Sequence, residues 1–193
     1  QIHYINSINS FNLNFNVIND ISIDDNFIYI ATDNGLLKAD YLTNENNLFF
    51  STSWSIVIDG VDVSSLSIDS NKYAVIDNKR SLLDITTLDI YDFENLSYGE
   101  VGNIDSYPVI NVYQYNQKLY LLTPYAVIIY DIPSLTLHNY FIKPTEYRQM
   151  FSCMHKLNDV LYFGLENGGV LIYENNNWED LVPNTIFTNQ FDA

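Results

Sequence analysis

Residues 151–174 read FSCMHKLNDVLYFGLENGGVLIYE, and residues 17–40 read VINDISIDDNFIYIATDNGLLKAD. The two stretches share one plan. An apolar-periodic segment is followed by an Asp/Asn turn, a continuous apolar run, an Asn-Gly turn and a third apolar run. In the first copy Val17, Asn19, Ile21 and Ile23 alternate with Ile18, Asp20, Ser22 and Asp24, as in a strand packed on one side. Asp24-Asp25-Asn26 is a turn cluster, and Phe27–Ala31 is a run of strand length fit for burial on both faces. Asp33-Asn34-Gly35 is a hairpin signal, because Asn and Gly accept positive φ. Leu36–Ala39 makes a third strand, and Leu48-Phe49-Phe50 is expected to be the fourth, before a connection through Trp54 and Asp59-Gly60.

Two looser copies lie between, around residues 63–85 and 109–131. Anchored on Tyr29, Tyr73, Tyr120 and Tyr162, the four copies are 44, 47 and 42 residues apart. A period of about 40–50 residues built of short strands is the signature of β-propeller blades. The fold class expected is therefore all-β, a propeller of four-stranded antiparallel blades near residues 17–52, 63–98, 109–142 and 151–182. Together they make one domain, whole or partial. Residues 1–16 hold Ile2-His3-Tyr4-Ile5, an outer or ring-closing strand, and Ile186-Phe187-Thr188 begins something after the fourth blade. Four visible blades favour a portion of a larger propeller over a complete ring, and such a portion would expose sheet faces.

The fourth copy, YFGLENGGVLIYENNNWEDL, resembles the propeller repeats of two-component-regulator sensors, and FIYIATDNGLLKADY in the first copy resembles them next best. The second copy replaces the turn Gly with Lys79-Arg80, and the third has Pro124-Tyr125 there. No copy ends in the Trp-Asp of WD40 repeats, so the architecture is WD40-like without that motif. The resemblance implies the fold and, as one functional alternative, a sensor of glycans or small ligands.

Composition agrees with strand. Of 193 residues 47% are hydrophobic and 15% aromatic, with 16 Tyr and 11 Phe, side chains that suit half-buried pleated surfaces. About one residue in eight is Asn, which takes over turns that Gly would otherwise make. The net charge of −16 argues against nucleic acid, which needs Lys and Arg to displace phosphate counterions. It argues equally against anionic membrane surfaces. The charge serves solubility, or a partner with a basic face. The single Cys153 permits no intrachain disulfide. No apolar run reaches the length of a membrane span, and nothing fixes a compartment. The chain opens at Gln1 without a leader pattern, as a processed product, an excised piece or the ordered part of something longer.

Catalytic motifs are scarce: no nucleophile elbow, no H-E-x-x-H, no phosphate loop and no C-x-x-C. Cys153 and His155 would share one strand face, but no further residue completes a metal or nucleophilic site. No metal or other cofactor is expected. Asp24-Asp25-Asn26 and Asp59-Gly60-Val61-Asp62 hold too few oxygens for calcium and read as turns. Pairs such as Glu94 with Glu100, or Asp89 with Asp92, have nothing to place them across a cleft.

In a propeller the turns between second and third strands share a face with the connections between blades. Binding concentrates there because loops vary while sheets stay rigid. The candidates on this face are Arg80, Tyr125 and Asn167 from the turns, with Tyr107, Tyr147 and Arg148, together with Asp59, Asp62 and Asp105, from the connections. Trp54 joins them as an aromatic in a connection. Trp178 reads as packing between blades. Aromatics and Arg amid few Lys suit a protein interface. The expectation is a non-enzymatic module that docks a protein or peptide. The alternatives are a glycan- or ligand-binding sensor and a propeller enzyme acting on glycans.

Overall fold

The computed structural model describes residues 14–42, 48, 50–97 and 107–181. It contains sixteen strands in four antiparallel sheets, each with its strands in sequence order. The first sheet is β1 (Ile18–Ile23), β2 (Phe27–Thr32), β3 (Gly35–Asp40) and β4 (Trp54–Asp59). The second is β5 (Val63–Ile68), β6 (Lys72–Ile76), β7 (Ser81–Asp84) and β8 (Ile90–Asp92), followed by the short helix α1 (Phe93–Ser97). The third is β9 (Asn111–Tyr115), β10 (Lys118–Leu122), β11 (Ala126–Asp131) and β12 (Thr136–Ile142). The fourth is β13 (Phe151–Leu157), β14 (Val160–Leu165), β15 (Val170–Glu174) and β16 (Asn177–Asp180). These are the up-and-down blades that the repeat predicts.

Two expectations change. The fourth strand of blade 1 is Trp54–Asp59, not residues 48–50, so that blade extends to residue 59. The strand is preceded by a 3-10 turn at Ser51–Ser53. Trp54 therefore opens an outer strand and does not lie in a connection. The expected strand at residues 2–5, the segment at 186–188, Glu100 and Asp105 fall outside the described residues.

The turns show why the sequence folds locally this way. Thr32 ends the second strand of blade 1 and Thr123 directly follows that of blade 3, and both are fully buried. Each hydroxyl donates across its turn to a third-strand carbonyl, Gly35 at 2.8 Å and Ala126 at 3.1 Å. In blade 2, Asp77, Asn78 and Lys79 all take left-handed φ, from 52° to 70°. A tight turn without Gly requires this, and Asp and Asn tolerate it better than most residues.

Three apolar seams join consecutive blades. Tyr29, Ala31 and Leu36 meet Leu66, Ile76 and Leu83 between blades 1 and 2. Val75 and Leu82 meet Val112, Leu121 and Ile128 between blades 2 and 3. Tyr120 and Ile129 meet Met154, Phe163 and Leu171 between blades 3 and 4. Trp178 lies in the last seam, 5.9 Å from Phe141 of blade 3 and 5.8 Å from Phe151 of blade 4. Among the described residues inner strands pack in the order β1, β5, β9, β13, with no comparable packing of β13 on β1. Blade 1's far side instead forms a cluster of its own, with Ile30, Leu37, Ala39 and Trp54 beneath Phe15 and Leu48. The four described blades thus form an open arc.

A candidate docking face on the interblade loops

The turn between second and third strands bonds to the interblade connections in every blade. Gly60 N–H donates to the Asn34 carbonyl at 2.9 Å, and Phe93 and Val109 donate to the Arg80 and Lys79 carbonyls at 3.1 and 2.9 Å. Lys143 and Phe151 donate to the Tyr125 and Pro124 carbonyls at 2.8 and 3.0 Å, and Glu166 donates to Met150 at 3.0 Å. These bonds tie turns and connections into one continuous face, at the opposite end of the strands from the hairpins that join first and second strands.

Blades 3 and 4 carry most of its aromatic surface. Tyr107, 41% exposed, sets its ring edge-on to half-buried Tyr125, with centroids 4.9 Å apart at 66°. The Lys143 ammonium lies 5.9 Å from the Tyr125 ring and donates to the Tyr147 carbonyl. Lys143 is only 7% exposed, and burial pushes its pKa below the usual lysine range. The Tyr147 phenol is pushed up, by burial and then by the charges of Asp180, Glu146 and Glu179. Exposed Arg148 follows directly.

Tyr147, Arg148 and Gln149 line a cleft of about 430 Å³ together with Leu165, Gly168, Gly169, Val170, Leu181, Glu146 and Asp180. The Gln149 side-chain oxygen is buried there without a hydrogen-bond donor. Such an acceptor costs about 1–3 kcal/mol unless a donor reaches it.

The other sequence candidates divide. Arg80 is exposed in a separate small cleft on blade 2, beside Asp77, Asp92 and Glu94. Asn167 is an exposed turn residue outside the larger cleft. Trp54 is not available to a ligand: it is 7% exposed, packs in blade 1, and its indole N–H donates to the Leu48 carbonyl at 3.0 Å. Burial follows from its place at the start of β4, opposite Ala39. Lys143 and Gln149 were not singled out from sequence. The only signal there is a lone Lys and a lone Gln flanking the Pro144–Arg148 connection.

Basic residues are distributed unevenly. Lys72, Lys118 and Lys156, near the opposite hairpins, are ion-paired with Asp24, Asp131 and Asp159. The chain's two arginines, Arg80 and Arg148, both lie on the loop face, and neither is ion-paired among the described residues. Asp24 serves its turn. Burial raises its pKa, but N–H bonds from Asn26 and Phe27 and the Lys72 ammonium outweigh that and hold the carboxyl below its ordinary value. Asp62 accepts from the Asn19 amide at 3.1 Å. Cys153 and His155 share one exposed face of β13, with the His155 ring 5.7 Å from Tyr113. Among the described residues no three His, Cys, Asp or Glu side chains converge as metal ligands would.

No protein-family model matches the chain, and no curated protein matches it. Solved structures of propeller architecture do. The computationally designed Ika4 protein superposes with a TM-score of 0.57 at 10% identity, over 85% of this chain and 94% of that one. YCF48 bound to D1 peptide superposes at 0.56 and 10% identity, over 83% of this chain and 52% of that one. The extracellular domain of the two-component system protein BT4673 from B. thetaiotaomicron superposes at 0.55 and 15% identity, over 84% of this chain and 22% of that one. The chain therefore spans about half of the YCF48 chain and about a fifth of the BT4673 one. At these identities the likeness is one of fold, and the fold is a β-propeller.

Proposed function

We propose that this arc is a non-enzymatic interaction module that binds a protein segment on its loop face, in the cleft lined by Tyr147–Gln149, Leu165, Val170 and Leu181. The observation that carries the reading is the exposed, unpaired Arg148 in a cleft that Leu165, Val170 and Leu181 also line. A peptide supplies what this cleft lacks. A carbonyl or carboxylate meets the Arg148 guanidinium, and an apolar side chain covers the apolar lining. Tyr107 and Tyr125 extend the surface beyond the cleft with rigid amphipathic rings of the kind that dominate interfaces.

Selection from a displayed peptide library on the immobilised chain tests this. Enriched peptides are expected to bind the native chain and to lose about tenfold or more in affinity to the Arg148→Glu variant, and likewise to Leu181→Glu. Both variants should unfold at the native temperature, since both side chains are exposed. Peptides that bind both variants as tightly as the native chain would place the site elsewhere. Enrichment on a glycan array without peptide binding would favour the sugar-sensing alternative.

A further inference from the structure

The loop-face cleft carries more negative charge than positive. Glu146 and Asp180 line it together with Arg148, and Glu179 precedes Asp180 on β16. All three carboxylates are exposed, and none is ion-paired among the described residues. In this they differ from Asp24, Asp131 and Asp159, each of which holds a lysine. Lys143 does not answer them: it is 7% exposed, and its ammonium donates to the Tyr147 carbonyl.

The carboxylates come from two segments and act on one aromatic ring. Tyr147 lies in the Pro144–Arg148 connection, in a turn that its N–H closes on the Pro144 carbonyl at 3.2 Å. Asp180 ends β16, and the next residue, Leu181, donates to the Val170 carbonyl at 2.9 Å, which pins that strand end. The charges of Asp180, Glu146 and Glu179 all reach the Tyr147 phenol, adding to the effect of its burial. A half-buried ring beside unpaired carboxylates suits a cation. Its π face attracts an ammonium or guanidinium, and the carboxylates bond to the same group. The turn between β14 and β15 leaves room for one. Gly168 and Gly169 take φ of 88° and 100°, and open space lies where a Gly168 side chain would stand.

We infer that the segment bound in this cleft is cationic: a lysine or arginine side chain of the partner lies at the Tyr147 ring and pairs with Glu146 and Asp180, while an adjacent apolar side chain covers Leu165 and Leu181. The partner class named here rests on the docking role proposed above. Arg148 meets a carbonyl or carboxylate of the same segment. The net charge of −16 acts in the same sense at longer range, drawing a basic partner and speeding its encounter.

Peptides enriched from the displayed library on the native chain test this. They are expected to carry Lys or Arg beside an apolar residue at a fixed position. One such peptide is then synthesised with a fluorophore, alongside a version in which that cationic residue is glutamine, and binding is read by anisotropy. Glu146→Gln/Asp180→Asn is expected to weaken the cationic peptide by about tenfold and to leave the glutamine version unchanged. Asp25→Asn/Glu174→Gln removes the same charge from two exposed residues at the other end of the strands. It is expected to change affinity by less than about twofold, because screening confines the effect of distant charges. Peptides that need Arg148 and Leu181 but show no cationic position, or that ignore the loss of Glu146 and Asp180, overturn the cationic partner and leave the docking site standing. Equal weakening by the two double variants replaces the Tyr147 seat with general charge attraction. Failure to enrich any peptide that senses Arg148→Glu or Leu181→Glu overturns the docking role itself, and the cationic partner with it.

Discussion

Gln114 of β9 donates its side-chain amide to the Ser67 carbonyl of β5 at 2.9 Å, across 47 residues of sequence. The same nitrogen lies 3.2 Å from the Ser67 hydroxyl and 3.0 Å from the Asn71 carbonyl. The separation is one blade period, and the same holds for other seam bonds. Asp20 to Leu66 spans 46 residues, Ser65 to Val112 spans 47, and Tyr113 to Lys156 spans 43. The repeat visible in the sequence is thus written again in the hydrogen bonds that fasten one blade to the next. These bonds supply direction to seams whose apolar burial is otherwise non-directional.

Gln114→Leu keeps the volume of this buried side chain and removes the donor. The Ser67 and Asn71 carbonyls then lose a partner inside the seam. The expected cost is about 1–3 kcal/mol, read as a lower urea midpoint with an unchanged slope. A midpoint within error of the native chain would mean that the seam rests on its apolar contacts alone.

Gly164 and Cys153 face each other across the β13–β14 ladder. A Cβ placed on Gly164 would stand 2.6 Å from the Cys153 sulfur and 3.2 Å from the Ser152 hydroxyl. Gly164→Ala therefore forces the exposed Cys153 side chain to turn away, with an expected cost of about 0.5–1.5 kcal/mol. The double variant Cys153→Ala/Gly164→Ala removes the closest atom and should recover most of that loss. A double-mutant cycle in thermal unfolding measures the coupling. Additive single effects would contradict the contact.

The four-stranded antiparallel sheets and their strand order were legible because they rest on local signals: two-residue alternation, Asn-rich turns and a fixed spacing. Blade 1 shows where this fails. Leu48-Phe49-Phe50 has the composition of a strand, but the outer strand is Trp54–Asp59. Nothing local distinguishes the two apolar runs, so Trp54 reads as free when it is core. Lys143 fails for the opposite reason: its ammonium is buried against the Pro144–Arg148 connection, where it donates to the Tyr147 carbonyl, a tertiary effect with no periodic trace. Arg80 stands out in the sequence because Lys79-Arg80 replaces the Gly of an otherwise regular turn.

Tyr29 and Tyr73 are anchored in the blade 1–2 and blade 2–3 seams, and both phenols are pushed up to about 12. Burial is the main cause in each. The charge of Asp24, to which Tyr29 donates at 3.2 Å, adds to the first, and that of Asp84 to the second. The sign follows from linkage. The unfolded phenol ionises near 10, while the folded one keeps its proton to about 12. Below pH 10 both states are protonated and these groups cost no stability. As pH rises from about 10 to 12, only the unfolded state releases protons, so stability falls across that window. Absorbance of tyrosinate should show a late fraction of phenols appearing together with loss of the β-sheet circular dichroism signal. Tyr73→Phe removes one late proton and keeps the ring in its seam. That variant is expected to lose stability more gently between pH 10 and 12 than the native chain, although the two start from similar stability at neutral pH. Superimposable alkaline unfolding curves for the two proteins would show that the Tyr73 proton is not linked to folding.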